Sequence, residues 1–286
     1  MRPGRWITLT LVFVLALTGC GRGDTGVATG GKVEVIAALY PLVYVAERVG
    51  AERVEVSGLA EPGVEPHDLE LSPRGAARLE DVDLVLYEKG FQPAIDDAVA
   101  DSNSLDVASV EPLDEADPHV WLDPVRLGRI ARAVADRLSE VEPAGAEMYT
   151  ARADALIADL ATLDAAFVAG LESCRLRTFV TSHDAFGYLA RRYDLSQVGI
   201  SGIDPESDPS PARLREVAAT VDKLNVTTVF IEPLVSPKVA EAVARETGAV
   251  TAVLDPVESI AAGSDDDYVV VMRRNLAALR TALGCS

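Results

Sequence analysis

Basic charge is what this sequence most lacks. Lys and Arg number 26 against 45 Asp and Glu, a net charge of -19 over 286 residues. The deficit excludes nucleic acid and anionic lipid surfaces as electrostatic partners. It is compatible with attracting cations, and equally with a merely solvated acidic surface. No HExxH or GxSxG occurs, and no glycine-rich phosphate loop joins a strand to a helix, so the usual marks of a zinc protease, a serine hydrolase or a nucleotide-binding enzyme are missing. No apolar run reaches the roughly 20 residues that a membrane span needs. Histidine is scarce too, with three residues in the whole chain.

What is present begins with a leader. Arg2 and Arg5 precede the apolar run ITLTLVFVLAL, the pattern of a signal peptide over residues 1–19. It ends in Leu17-Thr18-Gly19-Cys20, which resembles a bacterial lipobox and implies cleavage before Cys20 and a lipid on its sulfur. An ordinary secretory signal with an incidental cysteine is the alternative. GRGDTGVATGG then reads as a flexible tether, residues 20–31. The expected location is extracytoplasmic, on the cell membrane through lipid and not through a helix. In that compartment Cys174 and Cys285, the two remaining cysteines, either form one disulfide or stay as two thiols, because sequence does not reveal proximity.

The body of the chain alternates. KVEVIAAL, RVEVSGL and VDLVLYE read as strands, with a short strand near Leu105; PLVYVAERVG, SPRGAARLED and FQPAIDDAVA read as helices. Ser72 caps the second of these, with Pro73 at its first position. From Pro124 the pattern is helical, capped by Asp123. From about Ala144 to Leu171 it is helical again, and Tyr149, Leu156, Leu160, Leu163, Phe167 and Leu171 make one apolar stripe. Alternation then resumes through RLRTFVTS, LSQVGIS, VTTVFIE and AVTAVLD. The expected fold is α/β: two lobes, 32–143 and 173–286, each a small parallel sheet flanked by helices, joined by one rigid linker helix over 144–172. No sequence repeat relates the lobes beyond an echo of His-Asp at His67-Asp68 and His183-Asp184.

All three histidines occupy ends of elements. His67 follows the second strand, His183 ends the first strand of the second lobe, and His119 precedes the first central helix. Ligands of open α/β sheets bind beyond the carboxyl ends of strands. Asp255, at the end of AVTAVL, reaches the same rim. Three neutral imidazoles and a carboxylate make a tetrahedral site suited to Zn²⁺. Taken singly, each histidine is equally well a surface or hydrogen-bonded residue. Asp68 and Asp184 are candidates either to orient imidazoles or to cap the following helices. Glu232, ending VTTVFI, is a further candidate for the outer shell or an alternative fourth ligand.

The stretches PGVEPHDLELSP, DPHVWLDP, TSHDAFGYLA, ISGIDPESDPSPARL, FIEPLVSPKVAEAVARETGA and LDPVES, in this order, resemble the zinc/manganese solute-binding lipoproteins of ABC transporters (cluster A-I, ZnuA type). The resemblance covers nearly the whole mature chain. It implies a non-enzymatic, monomeric binding protein with metal held between two lobes by His67, His119, His183 and Asp255. It also implies delivery to a cognate ABC permease and its ATPase. His183 stands where manganese members carry a carboxylate, so the resemblance favours Zn²⁺ over Mn²⁺. The long histidine-rich loop of many zinc members is missing: VEPLDEADPHVW contains only His119. A manganese-preferring relative, a zinc-dependent hydrolase, an adhesin and a zinc chaperone are the competing readings.

Overall fold

The computed structural model describes residues 31–100, 103–111, 117–261 and 263–286. The expected signal peptide, Cys20 and the tether up to residue 30 lie outside the described residues. No helix among the described residues is long and apolar enough to cross a membrane.

Two four-stranded parallel sheets organise the chain from Lys32 onward, which forms one compact unit. The first is built from β1 (Val33–Ala37), β2 (Val54–Gly58), β3 (Leu84–Tyr87) and β4 (Ser104–Asp106) in the order β2-β1-β3-β4. The second is built from β5 (Thr178–Thr181), β6 (Ser196–Gly199), β7 (Thr228–Ile231) and β8 (Val250–Val253) in the order β6-β5-β7-β8. The two orders are the same, although the two sequences show no repeat. The first, second, third and fourth strands of each half correspond. The His-Asp echo does not: His67 follows a second strand and His183 a first.

Helices cover both sheets, as buried parallel strands require. In the first half these are α1 (Tyr40–Gly50), α2 (Pro73–Asp81) and the short α3 (Pro93–Asp96). Ser72 accepts from the Gly75 amide and Pro73 opens α2, as the sequence leads one to expect; such a cap is worth about 1 kcal/mol. Most of FQPAIDDAVA is not helical: α3 ends at Asp96. Between the two sheets in chain order come α4 (Pro124–Val141), capped by Asp123 through the Val125 and Arg126 amides, and α5 (Ala146–Leu171). The stripe from Tyr149 to Leu171 is buried throughout. At 1.5 Å per residue α5 is about 39 Å long, and it packs against α1, α4 and the final helix.

The second half adds α6 (Gly187–Arg192), α7 (Pro211–Leu224), α8 (Lys238–Thr247) and α9 (Tyr268–Leu283). One apolar core runs through residues of both sheets, α1, α4, α5 and α9; a smaller one sits under α7 and α8, and another between α2 and the first sheet. Cys174, just past α5, and Cys285, just past α9, are joined by a disulfide. The backbone agrees with the bond, since the Leu176 amide donates to Leu283 O and the Ser286 amide to Ser173 O.

Candidate metal centre

Strand order determines where the chain can gather side chains. In both sheets the order reverses between the first and third strands, and a crevice opens there beyond their carboxyl ends. In the second sheet the two residues at that crevice are His183, after β5, and Glu232, after β7. Glu232 Oε1 accepts from the His183 amide at 3.1 Å and Oε2 lies 2.6 Å from His183 Nδ1. In the first half, Gln92 Nε2 donates to Pro66 O at 2.8 Å and so fixes the segment that carries His67. The His67 ring packs on Phe91 with centroids 4.4 Å apart. His119 opens the 3-10 turn Val120–Leu122. Its amide and its Nδ1 both face Asp117 Oδ1, at 3.1 and 2.9 Å.

These arrangements converge. His67, His119, His183 and Glu258 each offer one donor atom, and the four atoms lie within 4.8 Å of one another. Glu258 Oε1 lies 3.4, 3.1 and 3.6 Å from the Nε2 atoms of His67, His119 and His183, and the Nε2 atoms of His119 and His183 are 3.4 Å apart. His119, His183 and Glu258 are buried, and His67 is nearly so. Once His119 and His183 give up a proton, the carboxylates on Nδ1 keep the remaining one there, which leaves Nε2 with a lone pair aimed at the common centre.

The electrostatics match a site waiting for a cation. Burial alone would push Glu258 up. Hydrogen bonds from His119, His183 and His67 instead hold it well below the usual carboxylate range. Burial alone would pull His183 down, yet Glu232 and Glu258 together raise it to about 10. His119 is raised too: burial opposes, while Asp117 and Glu258 prevail. Without metal, the cage therefore stores protons against its own carboxylates.

The expected fourth ligand, Asp255, is not in the group. Its Oδ1 accepts from the Val257 amide at 2.8 Å, and its backbone is clamped by Asn275, whose Oδ1 accepts from the Asp255 amide and whose Nδ2 donates to Asp255 O. Three residues on, the chain has turned and Glu258 enters the cage instead. Asp255 lies outside it, lining a cavity of about 110 Å³ with Glu65, Glu232 and Glu258. Burial, reinforced by the charges of Glu258 and Glu232 and opposed by the Val257 hydrogen bond, pushes Asp255 up to about 6.

Of the outer candidates, Glu232 orients an imidazole. Asp184 neither orients one nor caps α6, whose preceding residue is Phe186; its Oδ1 accepts from Gly199 at the end of β6. Asp68 is exposed and makes no hydrogen bond to an imidazole among the described residues. Glu258 and Asp117 carry no strand-end signal in the sequence; they stand in LDPVES and DPHVW, three residues after Asp255 and two before His119.

Residues 35–282 match the family described as ZnuA, zinc-uptake complex component A, periplasmic. The zinc-binding lipoprotein AdcA of Streptococcus pneumoniae (strain R6) is 32% identical over 301 residues, covering 96% of this chain and 59% of AdcA. The chain thus spans about three fifths of that relative. It spans more of the high-affinity zinc uptake system protein ZnuA of Bacillus subtilis, which is 28% identical over 300 residues and covered to 94%, as is this chain. The crystal structure of the Zn(II)-bound ZnuA-like domain of S. pneumoniae AdcA aligns with a TM-score of 0.77 at 33% identity, over 88% of this chain and 99% of that one. On the length of the match and the cage it encloses, the chain belongs to the ZnuA family.

Proposed function

We propose that this protein captures Zn²⁺ outside the cytoplasm and delivers it to an ABC permease and its ATPase for import. One observation carries the reading: three imidazole Nε2 atoms and one carboxylate oxygen converge in a buried cage. Ligands about 2.0–2.1 Å from a tetrahedral zinc are about 3.3–3.4 Å from each other. The separations of 3.1–3.6 Å from Glu258 to the three histidines, and of 3.4 Å between His119 and His183, match that edge length. His67, His119, His183 and Glu258 would be the ligands, with Zn²⁺ as cargo.

Three imidazoles favour zinc over manganese, which prefers hard oxygen donors. Four protein donors leave no position open for an activated water, so the arrangement suits capture and not hydrolysis. Relatives named for zinc binding and zinc uptake support the same reading. Lipidation at Cys20 would hold a monomer near its permease. The repeated strand order supports two lobes, 32–143 and 173–286, about the linker 144–172. Native mass spectrometry of metal-free protein offered zinc and manganese together tests the proposal. One zinc per chain is the expected result, and manganese bound in its place would overturn it.

A further inference from the structure

Glu258 reaches the cage through a backbone conformation that the residue before it does not favour. Val257, immediately before it, has φ 60° and is fully buried. A β-branched residue avoids the left-handed region because its branched Cβ crowds the adjacent carbonyl, and such residues persist only where the surroundings enforce them. Here they do so from both sides of the molecule. Asn275 on α9, itself 2% exposed, takes both backbone groups of Asp255, at 2.9 and 2.7 Å. Asp255 Oδ1 then takes the Val257 amide. Trp121, two residues after His119, donates from Nε1 to Pro256 O at 2.8 Å, and Tyr268 of α9 donates to Trp121 O at 2.5 Å. The Tyr40 amide donates to Glu258 O at 3.3 Å.

We propose that Asn275 is the positioning residue for Glu258: by clamping the Asp255 peptide to α9 it holds Val257 left-handed, and that turn is what carries the Glu258 carboxylate into the histidine cage. With φ negative at Val257 the chain after it swings away, and the carboxylate leaves with it. Asn275 touches neither the metal nor a ligand, so its influence passes entirely through the loop. This rests on reading the four side chains as a metal site.

The test is a double-mutant cycle on zinc affinity, measured with the full-length protein by competition with a chromophoric chelator. Asn275→Ala should weaken zinc by about 10–100-fold, the usual loss when a group that orients a ligand is removed. In a Glu258→Ala background the same change should cost nothing further, because the carboxylate it positions is gone. Glycine accepts positive φ without enforcement, so Val257→Gly added to Asn275→Ala should recover part of the lost affinity. Losses that add across the cycle would overturn the proposal, since Asn275 would then act by another route. Were Asn275→Ala to fail to fold, Asn275→Asp carries the same cycle, keeping the acceptor for the Asp255 amide and removing the donor to Asp255 O. Should Glu258→Ala leave wild-type affinity unchanged, the reading of the cage itself falls and the positioning role with it. Additive losses with a strong Glu258→Ala effect remove only the positioning role.

Discussion

Glu232 Oε2 lies 2.6 Å from Nδ1 of His183, and its other oxygen accepts from the same residue's amide. The strand end that presents His183 to the centre is thus backed by a carboxylate from the end of β7, which lies beside β5 in the sheet. This changes what His183→Glu should do. Two imidazoles and two carboxylates make a harder site, narrowing the preference for zinc over manganese without reversing it. But a carboxylate at 183 would also face that of Glu232, and burying two like charges together is costly. His183→Glu alone should lose affinity for both metals. His183→Glu with Glu232→Gln should restore binding and show the narrowed ratio. Competitive titration of the two metals decides it: an unchanged ratio in the double variant would mean that His183 is not a ligand.

Metal capture should release protons at neutral pH. His183 in the metal-free protein stands at about 10, above the ordinary value of 6.5, and His119 is raised as well. Between those limits the free protein holds protons that the metal must displace. Apparent affinity should therefore climb with pH through the neutral range, by about tenfold per pH unit for each proton displaced. It should flatten only near the raised value. The sign is opposite for the metal-free fold: the stabilisation from the raised His183 is complete below 6.5 and is lost as pH rises through about 10. Zinc added to weakly buffered protein at pH 8 with an indicator reads the release directly. No acidification on binding would contradict the protonated cage.

The two carboxylates of LDPVES should separate cleanly. Glu258→Gln removes the charged donor and should cost zinc affinity more than the roughly 10–100-fold typical of an orienting group. Asp255→Asn keeps an oxygen for the Val257 amide and should leave affinity little changed. Parallel chelator competitions measure both; a larger loss from Asp255→Asn would restore Asp255 as the ligand.

Gly187 has a role that only its missing side chain explains. A Cβ there would lie 2.4 Å from Asp117 Oδ2, the carboxylate whose other oxygen holds His119 Nδ1. Gly187→Ala should displace Asp117 and weaken zinc binding by about 10-fold, as loss of an outer partner does, although it stands in α6 and touches no histidine. Asp117→Asn should weaken it similarly. Zinc affinity unaltered in Gly187→Ala would show that Asp117 can yield without moving His119.

Much of this protein was legible from sequence by itself. Local rules wrote the strands as runs of β-branched residues, the cap at Ser72, and the length of α5 from its apolar stripe. The three histidines stood out by position: His67 and His183 follow strands, whose ends in a parallel sheet all open on the same side, and His119 opens the turn before α4. The fourth carboxylate could not be found in that way. Asp255 stands at a strand end just as His183 does, but whether it or Glu258 turns inward depends on the backbone at Val257, which is held by Asn275, 18 residues further on. Asp117 and Gly187 meet across elements remote in sequence, and Asp184 turns to Gly199 because β6 pairs beside β5. The same holds for Cys174 and Cys285, 111 residues apart, whose pairing waits on α5 and α9 ending side by side. Side-chain type and strand position are local properties of a chain. Which of two neighbouring carboxylates faces a centre depends on hydrogen bonds that exist only once distant elements have packed.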